Sequence, residues 1–334
     1  MGSAAPNPMV GSVLVHDDCV VAEGWHLAPG GPHAERACLD AFGAHAVPAD
    51  ATLYVNLEPC AHSGRTPPCA NLLVERGVKR VVVAHRDPFP EVNGQGIARL
   101  KRAGVMVTQG VLAEEAQWMN RRFLTSVTQQ RPYIVLKWAQ SADGFLDDHG
   151  RSARISSAET DVLVHRWRSE EQAILVGSRT ALHDDPRLDV RHVQGRSPLR
   201  VLLDRGGIAP NDANLFDGAS PTLLFTNAPR PDVAAEQVLL EPGSDPIDAI
   251  LTELHRRSIR SLLVEGGSEL LRHFLICGLW DEARVITGAR TCGSGTSAPL
   301  LSAESSRSFA QGPDRISLYV NTSRQTQPRD EWPW

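Results

Sequence analysis

The sequence predicts an α/β protein built from two domains. Its 334 residues are enough for two domains of ordinary size. In both halves β-rich runs alternate with stretches of helical periodicity, which is the pattern of layered α/β folds. The polar segment Gln129-Gln130-Arg131-Pro132 separates the two series. We therefore expect one domain at residues 1–128 and another at residues 132–324.

The first half begins with β-rich runs at 10–15 and 20–24, which predict a hairpin turning at Asp17-Asp18. After Pro32, small apolar residues recur at helical spacing, so we expect a helix at 33–42. The apolar run at 78–84 is typical of a strand buried in a parallel sheet. The other elements expected in this half are strands at 52–57 and 105–107 and helices at 69–76, 97–103 and 113–123.

The second half repeats the alternation. The apolar run at 261–264 leads into Glu265-Gly266-Gly267 and then into a predicted helix at 268–274. The free N–H groups at the start of such a helix can bind an anion, although a glycine pair alone is more often ordinary turn chemistry. The other elements expected in this half are strands at 133–138, 173–176, 199–203 and 222–226 and helices at 157–168 and 246–256.

Composition limits the classes of function. Hydrophobic and charged residues make up 42% and 22% of the chain, as in ordinary soluble proteins. The net charge of −5 lacks the basic excess of a nucleic-acid-binding protein, so we expect no nucleic-acid partner. Six cysteines are too few for a disulfide scaffold in a chain of this size. With neither a signal-peptide pattern nor an apolar run near the roughly 20 residues of a membrane span, we expect a cytoplasmic protein without membrane contact.

The most informative motif combines His33-Ala34-Glu35 with two later cysteines, Cys60 after Pro59 and Cys69 after Pro68. One histidine and two cysteines can bind zinc through three protein ligands, which leaves the fourth position open for water. The order H-x-E and then P-C with a second cysteine is the signature of zinc-dependent base deaminases, although the two cysteines are unusually far apart here. Both cysteines are expected at helix starts, where thiolates are favoured.

This open site predicts hydrolytic chemistry. Zinc lowers the pKa of a bound water to around 7, so that hydroxide forms at neutral pH. Glu35 lies two residues after the histidine and can carry the proton to a ring nitrogen and to departing ammonia. The alternative is a purely structural zinc site, which would need a fourth protein ligand, and His62 is the obvious candidate.

These residues resemble a known family. The chain carries Pro6-Asn7-Pro8-Met9-Val10-Gly11, the His-Ala-Glu motif, and a long insert between the cysteines that ends in Gly64-Arg65-Thr66-Pro67-Pro68. Together they resemble the bifunctional deaminase–reductases of riboflavin biosynthesis, and the resemblance continues through Asp184-Asp185-Pro186 and Val264-Glu265-Gly266-Gly267. It implies a cytidine-deaminase-like three-layer α/β/α domain followed by a dihydrofolate-reductase-like α/β domain.

The resemblance also implies two consecutive reactions on a small phosphorylated pyrimidine. The first domain would hydrolytically deaminate 2,5-diamino-6-ribosylamino-4(3H)-pyrimidinone 5′-phosphate with one zinc ion per chain. The second would use NADPH to reduce the ribosyl side chain to ribityl. In the first domain the matching residues are the zinc ligands His33, Cys60 and Cys69, the proton donor Glu35, and the substrate-side groups Asn7 and His62.

In the second domain the resemblance assigns one set of residues to the substrate and one to NADPH. Arg168 and Arg191 are expected to clamp the 5′-phosphate, because a guanidinium matches phosphate oxygens in pairs. Asp184 is the expected polar group beside the hydride-transfer centre, and Lys137 is expected to assist there. The substrate set is Ser152, Arg168, Leu188, Arg191 and Glu265. The NADPH set is Gln140, Arg154, Thr180, Asp184, Arg205, Gly267, Ser268, Glu269, Leu270, Leu271, Arg272 and His273.

Several positions depart from the family pattern. Arg154 stands where a Trp is common, Arg205 replaces a small polar residue, and Phe89 replaces an Asn. Only five residues precede Pro6, so we expect that a helix usual in the family is missing and that one face of the first sheet is uncovered. These departures weaken the NADPH assignments more than the zinc assignments.

Three other functions stay open at this point. The chain could be a deaminase whose second domain is inactive, a nucleic-acid base deaminase, or a scaffold stabilised by zinc without catalysis. The acidic net charge argues against the nucleic-acid enzyme. The sequence is compatible with either a monomer or a homodimer.

Overall fold

Two series of strands and helices follow each other along the chain. The computed structural model describes residues 4–61 and 67–322, so His62 lies outside the described residues. The chain passes from a first unit to a second between Gln130 and Arg131. No helix in the described ranges is both long and apolar enough to cross a bilayer.

The first unit contains a five-stranded sheet in the order β2-β1-β3-β4-β5. Strands β1 and β2 form the expected hairpin, and Asp17 and Asp18 in its turn both adopt positive φ. Strand β3 pairs antiparallel with β1, whereas β3, β4 and β5 are parallel. The elements are β1 (Gly11–His16), β2 (Cys19–Trp25), α1 (Ala34–Phe42), β3 (Thr52–Leu57), α2 (Cys69–Glu75), β4 (Arg80–His85), α3 (Gln95–Arg102), β5 (Met106–Gln109), α4 (Ala113–Met119) and α5 (Arg121–Gln129).

The core of this unit lies between the sheet and helices α1, α2 and α3. Leu39 of α1, Leu73 of α2 and Leu100 of α3 are fully buried against strand residues such as Leu53 and Val83. Helix α4 also contacts β3 and β4. These contacts fix the start of α1, the end of β3 and the start of α2, where the zinc motif lies.

The second unit is built on a nine-stranded sheet in the order β10-β9-β8-β7-β11-β6-β12-β14-β13. The first seven strands in this order are parallel, and β14 and β13 complete the sheet in antiparallel pairing. The elements are β6 (Tyr133–Gln140), α6 (Ala158–Glu170), β7 (Ala173–Gly177), α7 (Ser178–Asp184), β8 (Leu199–Leu203), β9 (Thr222–Thr226), β10 (Glu236–Leu239), α8 (Pro246–Arg256), β11 (Ser261–Val264), α9 (Ser268–Ile276), β12 (Glu282–Thr287), β13 (Arg307–Gln311) and β14 (Asp314–Val320), with a 3₁₀ turn at Asn214–Phe216.

The predicted helix at 113–123 is wrong, because the chain forms two helices that meet at Asn120. The side chain of Asn120 accepts a hydrogen bond from the N–H of Met9 (2.8 Å) and donates one to its carbonyl (3.0 Å). An asparagine that pairs with a distant backbone interrupts the helix at the point where its side chain is needed. The contact between Asn120 and Met9 joins distant parts of the chain, so the local sequence pattern could not predict it.

Candidate functional sites

Three side chains of the zinc motif meet in the first unit. His33 is the N-cap of α1, Cys60 follows β3 in the chain, and Cys69 is the first residue of α2. The Nδ1 atom of His33 lies 3.5 Å from Sγ of Cys60 and 3.4 Å from Sγ of Cys69. The three ligand atoms all lie within 4.8 Å of one another. The fold therefore brings together the ligands that the sequence predicted.

This arrangement fits zinc. Tetrahedral zinc, with bonds of about 2.0 Å to nitrogen and about 2.3 Å to sulfur, separates those two atoms by about 3.5 Å. The two nitrogen–sulfur distances match that value within about 0.1 Å. Cys69 begins α2 as expected, but the prediction that Cys60 also begins a helix is wrong, because Cys60 lies in irregular chain after β3. Its sulfur instead accepts a hydrogen bond from the backbone N–H of Cys69 at the start of α2 (3.2 Å), which favours the thiolate.

The two thiols differ in acidity. A hydrogen bond from Cys69 and the neighbouring His33 lower the pKa of Cys60 to about 4 despite burial. The pKa of Cys69 is raised, because this thiol hydrogen-bonds the Cys60 sulfur and is buried. The His33 pKa is raised, first of all by its hydrogen bond with Cys60. The pair thus favours one thiolate, and a cation bound between the sulfurs would release the second proton.

Glu35 lies in the first turn of α1 and is only 3% exposed. Burial raises the pKa of this carboxyl to about 7, and its hydrogen bond with the thiol of Cys69 opposes the increase. A carboxyl group in contact with the ligand cluster and with a pKa near neutrality can both accept and release a proton.

His26 is a residue of this site that the sequence analysis missed. Its Nε2 accepts a hydrogen bond from the side-chain amide of Asn7 (2.9 Å), and its Nδ1 donates to the carbonyl of Pro32 (3.0 Å). The ring of His26 meets the ring of His33 edge-on, with centroids 5.6 Å apart. Asn7 is therefore linked through His26 to the ring of His33. The only sequence signal for His26 as a residue of this site is its position directly after β2.

The segment that carries Asn7 is fixed by two asparagine side chains. Asn120 holds both backbone groups of Met9, as described above, and Asn56 donates to the Met9 carbonyl and accepts from the N–H of Gly11, both at 2.9 Å. These bonds fix a segment that has no regular structure before β1. They place Asn7 by long-range contacts that no local motif reveals.

Glu58 anchors the loop that precedes Cys60. Its buried carboxylate accepts hydrogen bonds from the N–H groups of Asp87 (3.3 Å), Gly94 (2.9 Å) and Ile97 (3.2 Å). A side chain on Gly96 would overlap the carbonyl of Pro59, since its Cβ would lie 1.8 Å from that oxygen. The start of α3 is therefore packed directly against the loop that carries Cys60.

The second unit contains a cavity of about 930 Å³. Its walls follow the carboxyl ends of the adjacent parallel strands β8, β7 and β11, which is where ligands bind in open α/β sheets. Helix α9 begins at this cavity, so its free N–H groups can receive an anion. The predicted residues that line the cavity are Ser152, Thr180, Asp184, Arg205, Gly267, Ser268, Glu269, Leu270, Arg272 and His273.

A buried ion-pair network lies at the end of β11. The carboxylate of Glu265 receives two hydrogen bonds from Arg168, at 2.8 and 2.9 Å, and one from Lys137 at 3.2 Å. Burial alone would raise the pKa of Glu265, but the charges of Arg168 and Lys137 outweigh it and lower this pKa to about 2. The network joins three residues that the sequence analysis had singled out separately.

Other predicted residues lie elsewhere in the second unit. The guanidinium of Arg154 binds the carboxylate of Asp161 at 2.6 Å and is largely exposed. Gln140 accepts a hydrogen bond from the indole of Trp138 (2.8 Å). Leu188 and Leu271 are buried among core side chains. None of these side chains lines the cavity formed by the described residues.

Comparisons with known proteins agree with this description. Residues 1–85 match the family model for the cytidine and deoxycytidylate deaminase zinc-binding region, and residues 132–326 match the RibD C-terminal domain. The riboflavin biosynthesis protein RibD of Aquifex aeolicus is 41% identical over 89% of this chain and 85% of its own. RibD of Bacillus amyloliquefaciens is 38% identical over 93% of this chain and 86% of its own.

Solved structures give the same result. The diaminohydroxyphosphoribosylaminopyrimidine deaminase/5-amino-6-(5-phosphoribosylamino)uracil reductase of Thermotoga maritima superposes with a TM-score of 0.87 and is 34% identical, over 95% of this chain and 93% of that one. RibD of Acinetobacter baumannii superposes with a TM-score of 0.85 at 33% identity and the same coverage.

Proposed function

This chain belongs to the RibD family of riboflavin-biosynthesis proteins, and from that premise we propose how its own residues perform the two reactions of the family. It is a bifunctional enzyme with a zinc-dependent deaminase and an NADPH-dependent reductase. We assign the deaminase to residues 1–128 and the reductase to residues 132–324. Its substrate is a small pyrimidine, which we identify as 2,5-diamino-6-ribosylamino-4(3H)-pyrimidinone 5′-phosphate.

In the deaminase, His33, Cys60 and Cys69 would hold one zinc ion. When bound, zinc makes hydroxide available near neutral pH. Glu35 takes one proton from the attacking water and delivers it to the ring nitrogen. It then carries the second proton, from the hydroxyl group added to the ring carbon, to the amine, which leaves as ammonia. Asn7, whose amide nitrogen is engaged by His26, presents its carbonyl oxygen to the pyrimidine edge.

In the reductase, Gly267 and Ser268 at the start of α9 would hold the diphosphate of the cofactor, and Arg205 and Arg272 add positive charge to the same cavity. NADPH supplies the hydride when it is bound. Asp184 lines the cavity, and we assign it the position beside the reacting carbon. Lys137, which is paired with Glu265, would supply the proton that balances the hydride. Arg191 would clamp the 5′-phosphate of the substrate. Arg168 pairs with Glu265 and so fixes this carboxylate at the end of β11.

The observation that carries the deaminase proposal is the His33–Cys60–Cys69 cluster with buried Glu35 in contact with it. The test measures zinc content, deamination and NADPH oxidation separately, the last with the deaminated intermediate, in the wild-type protein and in Glu35→Gln. We expect Glu35→Gln to retain about one zinc per chain and to lose at least ~10²-fold in deamination, with NADPH oxidation unchanged. Unchanged deamination in Glu35→Gln would refute the assigned role.

The same assays separate the remaining alternatives. Deamination without NADPH oxidation in the wild-type protein would mean that the reductase unit is inactive. We further propose a cytoplasmic enzyme that binds no nucleic acid, in keeping with its net charge of −5. RNA binding that weakens steeply with salt would contradict that proposal. A homodimer is compatible with this function and would be measured by sedimentation.

A further inference from the structure

His165 is a buried histidine with no part in the chemistry described above. It lies on α6, three residues before Arg168, so both side chains project from the same side of that helix. His165 is only 3% exposed. Its Nδ1 atom accepts a hydrogen bond of 3.1 Å from the backbone N–H of Arg191. The contact ties α6 to the residue proposed to clamp the substrate phosphate.

The segment that carries Arg191 needs external support. The described residues 185–198, between α7 and β8, form neither helix nor strand. Leu188 adopts a positive φ of 50°, which is unfavourable for a side chain of this kind. Because this segment lacks the hydrogen bonds of a helix or a strand, contacts with other elements must fix the position of the Arg191 guanidinium.

Helix α6 supports this segment at two points. The guanidinium of Arg168 donates to the backbone carbonyl of Asp189 (3.4 Å), and His165 accepts from the N–H of Arg191 two residues later. The side chain of Asp189 in turn pairs with Arg191 and with Arg187. The two backbone contacts fix the main chain on both sides of residue 190, while the ion pairs orient the arginine side chains.

His165 is suited to accept a hydrogen bond here. Burial, together with the charges of Arg168 and Arg191, lowers its pKa to about 4. The ring of His192 lies edge-on to it, with centroids 4.5 Å apart, and completes the enclosure. The imidazole therefore stays neutral at the pH of the reaction, and its Nδ1 keeps a lone pair for the N–H of Arg191.

We propose that His165 is a positioning residue of the reductase, which holds the backbone of Arg191 so that its guanidinium meets the phosphate of the substrate. This proposal rests on the phosphate-binding role proposed above for Arg191. It predicts an effect on substrate binding more than on the hydride-transfer step, because His165 acts only through Arg191.

The test compares two variants of equal size. The Oδ1 atom of an asparagine can occupy the place of Nδ1, so His165→Asn keeps an acceptor, whereas His165→Leu has the same shape without one. We expect His165→Leu to raise the KM for the phosphorylated intermediate about five- to tenfold, with kcat changed less than about twofold. His165→Asn should stay within about threefold of the wild-type KM. Deamination by the same chain, measured in parallel, serves as the internal control.

Two further measurements separate the possible failures. Arg191→Gln should raise the KM for the phosphorylated intermediate at least tenfold and leave that for the dephosphorylated ribosyl compound nearly unchanged. If Arg191→Gln has no such effect, the phosphate-binding role itself is wrong. If Arg191→Gln has the effect but His165→Leu and His165→Asn behave alike, the positioning role is refuted. Should His165→Leu fail to fold, His165→Met, whose thioether is only a weak acceptor, replaces it, and an unchanged KM in that variant overturns the proposal.

Discussion

Replacement of Glu265 by glutamine tests the ion-pair network of the reductase unit. In the folded protein Arg168 and Lys137 hold the pKa of Glu265 at about 2, against an ordinary value of 4.5. A difference of this size corresponds to about 3 kcal/mol of folding free energy from the charged form. Since the pKa is lower in the folded state, this stabilisation is complete above about pH 4.5 and is lost as the pH falls towards 2. Glu265→Gln removes the charge at every pH.

We therefore expect Glu265→Gln to reduce the stability of the second unit by about 3 kcal/mol at pH 7 and by about half as much near pH 3, where the carboxyl of the unfolded wild-type chain is mostly protonated. Hydrogen exchange of peptides from β6 and α6 measures this unit by itself, which matters because two units need not unfold together. Glu269→Gln is the control, because Glu269 and its partner Arg179 are both mostly exposed, and such pairs contribute less than about 1 kcal/mol. A Glu265→Gln deficit that is the same at pH 7 and pH 3 would refute the reasoning.

Three further changes probe the two sites. Cys69→Ser should reduce bound zinc, measured by metal analysis, below about a tenth of one equivalent and abolish deamination while NADPH oxidation persists; normal zinc content would contradict the ligand assignment. Glu58→Gln removes the charge that accepts three backbone N–H bonds beside the Cys60 loop, so zinc affinity, measured by chelator competition, should fall about tenfold, and an unchanged affinity would mean that the loop is held by packing alone. Arg154→Ala should change the KM for NADPH less than about twofold, because Arg154 binds Asp161 and does not line the cavity, whereas Arg205→Ala should raise it about tenfold in the same NADPH-oxidation assay. Equal effects of these two variants would contradict the placement of the cofactor.

The sequence predicted the fold best where local signals agree with burial. The strand at 52–57 and the helix at 246–256 have the expected bounds, and that helix has Asp245 as its N-cap and Pro246 in its first turn. Helix α7 was missed, because it begins and ends among residues that favour turns. The strands β10, β12, β13 and β14 were missed as well. In β12, Glu282 and Arg284 are buried as partners of one another, so the strand lacks the apolar pattern by which buried strands are recognised.

The same distinction applies to the sites. The zinc-site residues serve one chemical function and form a characteristic motif, which can be recognised in the sequence without a structure. They are His33, Glu35, Cys60 and Cys69. The residues that orient them belong to distant parts of the chain, and each does its work through a hydrogen bond to a backbone group or an amide. Such bonds require only a polar side chain of suitable length, so they leave no recognisable spacing in the sequence.

Helix α6 shows why supporting residues determine a site as much as contact residues do. Through Arg168 it neutralises the buried carboxylate of Glu265 and holds the backbone of Asp189, and through His165 it holds the backbone of Arg191. The two side chains lie one helical turn apart on a rigid element, whereas the segment they hold has no regular structure of its own. A guanidinium binds a phosphate well only if its position is fixed before the substrate arrives, because otherwise the cost of ordering it reduces the binding free energy. Helix α6 thus supplies the rigidity that the segment carrying Arg191 lacks.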